Sequence, residues 1–228
     1  MEKLEKIAEQ IRQTFDTLTV ARDQALTQAR ALTRACALSI RAVHRDDTEV
    51  MQAHLDEARQ LANALRTGLA DYPALYYAGY TQDSLKEFAE ASITCALIHH
   101  EPLPTPEELD LPPHTYLNGL AESVGEMRRR CLDMLRLDNS AEAEHLLGSM
   151  DDIYSILVTM DYPDAITNGL RRQTDIIRAI IERTRGDVTF SLRGEKLEHS
   201  IARLSKQLTG SEALPGEAPL ALPPEQDS

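Results

Sequence analysis

Residues 3–43, KLEKIAEQIRQTFDTLTVARDQALTQARALTRACALSIRAV, run without a proline or a glycine and are rich in alanine, leucine, glutamate, glutamine and arginine. These residue types lose little freedom in a helix, and nothing in the stretch removes a backbone donor, so the segment is expected to form one long helix from about Lys3 to Val43. Working outward, Asp46 or Asp47 supplies a cap for a second helix that continues to about Leu69. Beyond Pro73 a third helix is expected from about Ser84 to His99. The prolines at 102, 104, 106, 112 and 113 then mark a loop from Glu101 to Pro113. A fourth helix follows from about Thr115 to Leu137, a fifth from Ser140 to Met160, a sixth from Pro163 to Thr184, and a shorter seventh near Glu195 to Gln207. Seven helices with short connections imply an all-α bundle in one domain over residues 1–208. Aromatic residues make up 4% of the chain and tryptophan is absent, which argues against a sheet.

The remaining composition bounds location and partners. Cys36, Cys95 and Cys131 are odd in number and far apart, so they suggest neither a disulfide framework nor a zinc site; they read as small buried groups in a reducing compartment. No window approaches the length of apolar sequence that a membrane span needs, and the N-terminus lacks an export signal, so a cytoplasmic protein with no membrane partner is expected. From Thr209 onward the chain holds Glu212, Glu217, Glu225 and Asp227 with no lysine or arginine, together with four of the eleven prolines, and 209–228 is expected to be a disordered acidic tail.

Net charge is −13, yet Val20 to Arg45 carries five arginines against the single acid Asp23. Arg30, Arg34 and Arg41 recur at spacings of four and seven, so they share one helical face, and Arg45 extends it by a turn. Such a stripe suits a phosphate backbone; equally, it suits an exposed face that neutralises acids of neighbouring subunits. Arg128, Arg129 and Arg130 form a second basic step.

Four acids carry the chemistry. Glu87 and Glu90 stand three apart in SLKEFAEA (84–91), and Glu122 and Glu126 stand four apart in YLNGLAESVGE (116–126), so each pair shares one helical face. Brought together, the carboxylates would repel by about 4 kcal/mol per pair at 4 Å in an intermediate dielectric, which raises pKa values or recruits a cation. Oxygen-only ligands suit Mg²⁺ or Mn²⁺. The same acids lie opposite apolar positions such as Leu85, Ala89, Leu120 and Val124, as a solvated face also would. Both readings stand on spacing alone.

The run KEFAEA (86–91), followed after the proline-rich loop by TYLNGLAE (115–122) and EMRR (126–129), resembles the translin and translin-associated factor X family, closest to the latter branch. MDDIY (150–154), GLRR (169–172), DVT (187–189) and LRG (192–194) extend the resemblance over roughly residues 10–208. It implies a seven-helix subunit of a closed homo-octamer that binds single-stranded RNA and possibly single-stranded DNA. In the associated-factor branch it further implies a Mg²⁺-dependent endoribonuclease. Glu87, Glu90 and Glu126 match that branch's acids, while Glu122 stands where it has aspartate, which keeps the charge and adds a methylene. The resemblance thus makes Glu87, Glu90, Glu122 and Glu126 the expected catalytic and metal-binding residues, and Arg30, Arg34, Arg41, Arg45, Arg128, Arg129 and Arg130 the expected nucleic-acid contacts. A binding-only translin-like protein and a helical scaffold without nucleic acid remain the alternatives.

Other groups are expected to be structural. Glu142 and His145 have the spacing of a di-iron motif, but only one copy is present. His99 and His100 end a helix, and Tyr76, Tyr77 and Tyr80 beside Pro73 read as a helix-packing cluster.

Overall fold

The computed structural model describes residues 1–210; of the tail expected over 209–228, Thr209 and Gly210 belong to the last helix and the rest lies outside the described residues. The helices are α1 (Glu2–Val43), α2 (Thr48–Gly68), α3 (Pro73–Tyr76), α4 (Gly79–Ile98), α5 (Pro106–Leu109), α6 (Pro113–Arg136), α7 (Ser140–Leu157), α8 (Asp164–Thr167) and α9 (Leu170–Gly210). The described residues contain no strand, so the expected all-α class holds, and none of their helices is long and apolar enough to cross a membrane. The chain divides into two compact units, residues 1–188 and the part from Thr189 onward.

Local chemistry sets most boundaries. Asp47 accepts a hydrogen bond from the backbone N–H of Val50 and starts α2, while Asn139 does the same for Glu142 and starts α7. Inside the expected proline loop, Thr105 and Glu108 form a reciprocal capping box around one helical turn. The expected sixth helix is divided. Asn168 and Gly169 both adopt positive φ, 52° and 87°, which closes α8 after one turn and lets α9 begin at Leu170. From there the expected sixth and seventh helices are continuous in α9. The intervening Gly186 and Gly194 weaken a helix by about 1 kcal/mol each relative to alanine, which is too little to end it.

In the first unit α4 is the central element, packed by α1, α2, α6 and α7. It is buried around most of its circumference, from Leu85, Phe88 and Ala89 to Ile93, Cys95 and Ile98. All three cysteines are free and buried, as expected. α4 and α6 approach closely at Gly119. A Cβ on Gly119 would sit 2.5 Å from the Ala89 Cβ, 2.8 Å from the Lys86 carbonyl oxygen and 3.0 Å from the Glu90 backbone nitrogen. Only glycine admits this backbone approach. It sets Glu122, three residues further along α6, against Glu87 and Glu90, which flank Ala89 on α4.

Gly119→Ala is therefore expected to lower stability by about 1–3 kcal/mol in denaturant unfolding, through overpacking. Gly148, mid-way along α7, has nothing within 4 Å of an added Cβ, so Gly148→Ala should raise stability by about 0.4–1 kcal/mol. Equal effects at the two positions would refute the close approach.

Candidate functional site

The acids of α4 and α6 meet because of that crossing. Glu87, Glu90 and Glu122 each offer a carboxylate oxygen, and the three oxygens lie within 4.8 Å of one another. All three residues are partly buried. Burial, then the charges of Glu87, Glu122 and Glu126, push the Glu90 carboxyl up to about 8. Burial and then Glu122 push Glu87 in the same direction. Two donors meet one oxygen of Glu122: Lys86 Nζ at 2.8 Å and Gln173 Nε2 at 3.1 Å. Burial pulls the Lys86 ammonium down, but its bond to Glu122 and the surrounding acids outweigh this and hold it above its usual range.

Glu126 is treated differently. Its Oε2 accepts from His44 Nε2 at 2.5 Å and faces Arg129 Nη1 at 3.5 Å. The His44 hydrogen bond is the main reason that Glu126 stays below the usual carboxylate range, against the opposing effect of burial. The His44 side chain is 2% exposed, and its Nδ1 has no partner among the described residues. Sequence reasoning missed His44. It lies just past the end of α1, distant in sequence from Glu126, and no local spacing signals the pairing.

The donor set fits a hard divalent cation. Ligand oxygens around Mg²⁺ at roughly 2.1 Å lie about 3–4 Å apart, a spacing that small rotations of these side chains reach. One ammonium, Lys86, touches the three carboxylates through Glu122, which leaves negative charge for a cation to balance. The nearby Cys36 thiol is pushed up by burial and then by Glu87 and Glu90, so it stays protonated and offers no soft ligand. Among the described residues this is the only cluster of three acidic, histidine or cysteine side chains with metal-binding spacing.

No family model matches the chain. An uncharacterized protein of Methanocaldococcus jannaschii is 34% identical over 185 residues, which span 80% of this chain and 82% of that protein. AfC3PO, from Archaeoglobus and solved with duplex RNA, is 30% identical with a TM-score of 0.76, over 82% of this chain and 96% of the other. AfC3PO alone gives a TM-score of 0.75 at the same identity, over 82% and 97%. The chain belongs to the translin family. Apo-NeC3PO from Nematostella, 20% identical over 80% of this chain and 96% of the other, shares the fold with a TM-score of 0.74.

In this translin-family chain the two basic groups named from the sequence differ. Arg30, Arg34 and Arg41 are exposed on the side of α1 away from the buried Leu32, Cys36 and Val43; α1 ends at Val43, so Arg45, also exposed, lies in the turn that follows and does not extend the helical stripe as expected. None of the four forms an ion pair with a described residue. The step after Glu126 is engaged within the chain: Arg128 pairs with Asp187 at 2.9 Å and donates to Thr184, while Arg130 grips Asp46 at 2.6 Å. The minor candidates are structural. His100 approaches His145 at 3.1 Å and Glu142 at 3.4 Å on the surface, and Tyr76 and Tyr77 pack edge to face at 5.0 Å.

Because Glu90 titrates near 8 when folded and near 4.5 when unfolded, the folded state holds the extra proton between these values. Stability from this group is therefore present at acid pH and lost as pH rises through that window. Without metal, Glu90→Gln should unfold several degrees above the parent at pH 8, and the gap should narrow towards pH 5. A variant that tracks the parent at both pH values would contradict the burial of this charge.

Proposed function

We propose that this protein is an RNA-binding subunit of the associated-factor type and a Mg²⁺- or Mn²⁺-dependent endoribonuclease on single-stranded RNA. The carrying observation is the convergence of Glu87, Glu90 and Glu122 within 4.8 Å. The RNA complex of the 30% identical AfC3PO supports the substrate class. Glu87, Glu90 and Glu122 would hold the cation, which would supply Lewis-acid polarisation of the phosphodiester and charge to offset that developing on its oxygens. Lys86 and Gln173, both bonded to Oε1, fix the orientation of Glu122, so that only small side-chain rotations separate the three carboxylates from coordination spacing. Glu126, kept ionised by His44, has Oε2 occupied and Oε1 free to accept a proton from an attacking water. The α1 arginines hold the strand by its phosphates, which extends binding to single-stranded DNA, since such contacts do not read the sugar.

The unit of function is a homo-octamer in the cytoplasm. Leu4, Ile7, Ile11 and Phe15 form an exposed apolar line along α1, each at least 43% exposed, as expected of a surface that another subunit covers. Native mass measurement should give about eight times 25.4 kDa; a monomer at micromolar concentration would overturn the assembly. The tight Lys86–Glu122 pair favours one other reading, a binding-only protein in which lysine takes the cation's place.

Labelled single-stranded and duplex RNA, incubated with Mg²⁺, Mn²⁺ or EDTA, separate the two. Cleavage is expected with either metal and not in EDTA, and Glu90→Gln should reduce it by orders of magnitude while RNA binding holds. Glu122→Asp tests the extra methylene. Replacing Arg30, Arg34 and Arg41 by glutamine should flatten the salt dependence of binding, by about 0.7 in log-log slope for each phosphate no longer neutralised. If the wild type binds RNA but cleaves with neither metal, and Glu122→Asp creates no cleavage, the enzyme reading fails.

A further inference from the structure

A cavity of about 380 Å³ opens beside the carboxylate cluster, between the start of α4, the start of α6 and the first turns of α9. That volume falls at the lower end of the range for small-molecule sites, roughly 300–1,000 Å³. Three of its lining side chains are held by hydrogen bonds. Thr115 donates to Gln82 at 2.6 Å, Gln82 donates to the Tyr76 carbonyl at 2.8 Å, and Asn118 donates to the carbonyls of His114 and Thr167. One wall is shared with the acids, because Lys86 and Gln173 line the cavity and also hydrogen-bond Glu122.

Two charged lining groups have no hydrogen-bonded or ion-paired partner among the described residues, and they have opposite sign. Arg172 lies in the first turn of α9, whose leading N–H groups also favour an anion. Asp83, on α4, is exposed and lines the same cavity, close enough to Glu87 to push that carboxyl up. A site for bare phosphate has no use for Asp83, whose charge repels the anion. A carboxylate beside an anion site is useful when the ligand also carries a neutral donor, and a ribose hydroxyl is such a donor.

We propose that this cavity is a ribonucleotide subsite in which Arg172 and the start of α9 take a phosphate and Asp83 accepts a hydrogen bond from the ribose 2′-hydroxyl. The nucleotide it holds is the one next to the scissile phosphate, because Lys86 and Gln173 belong to both sites. This assignment rests on the proposed cleavage of RNA for its purpose, but binding in the cavity needs neither metal nor turnover. It also supplies what the α1 arginines lack, a contact that separates RNA from DNA.

The full-length protein in EDTA is titrated with adenosine 5′-monophosphate, its 2′-deoxy counterpart and inorganic phosphate, followed by calorimetry or by chemical shifts. The ribonucleotide is expected to bind about tenfold more tightly than the deoxynucleotide, as one hydrogen bond to a charged acceptor provides, and phosphate should bind more weakly than either. Asp83→Ala should remove the ribose preference while deoxynucleotide binding holds or improves. Arg172→Gln should weaken both nucleotides alike. No nucleotide binding at millimolar concentration, equal affinity for the two sugars, or affinities unchanged in both variants would overturn the subsite. A protein that shows the ribose preference but never cleaves RNA loses the enzyme reading and keeps the subsite. One that cleaves RNA while the cavity binds no nucleotide does the reverse.

Discussion

The backbone of α6 touches that of α4 at Gly119, and the arrangement of the site depends on this approach. A side chain there would meet Ala89 and the peptide groups of Lys86 and Glu90, so the helices would have to separate. Separation would move Glu122 away from Glu87 and Glu90 and weaken the bond from Lys86 to Glu122. Packing at one small residue and convergence of three carboxylates are thus a single structural fact. The constraint is strict because α4 is buried by neighbours on its other sides and has little room to adjust.

Glu90 and Glu126 are pushed in opposite directions by their surroundings. Glu90, pushed up first by burial and then by the neighbouring carboxylates, titrates at about 8, whereas Glu126, one helical turn beyond Glu122 on α6, is held low by His44. Carboxylates whose environments push them apart can serve different chemical roles within one site. Without a cation the cluster resolves its repulsion by protonation and by the Lys86 ion pair; a cation would resolve it by coordination. Both states use the same side chains, which is why Lys86–Glu122 is compatible with a metal site and with its absence.

A protein of net charge −13 keeps one basic face by leaving it unpaired. The α1 arginines point away from the buried face of their helix, while Arg128 and Arg130 tie α6 to Asp187 and Asp46 and add little field outside. Position along the chain ranks these groups alike; pairing in space separates them.

Helix content and most helix limits were legible in the sequence, because caps such as Asp47 and Asn139 and the proline positions act within a few residues. The division at Asn168–Gly169 was less legible, since a left-handed pair and a tolerated helical glycine look similar in a string of letters. Spacing also showed that Glu87 with Glu90, and Glu122 with Glu126, share helical faces, since a helix fixes the relation of residues three and four apart. Whether those faces meet each other or water is decided by the crossing at Gly119. The same holds for His44 on Glu126 and for the cavity between α4, α6 and α9. Local periodicity determines which way a side chain leaves its helix, and only tertiary packing determines what it finds there.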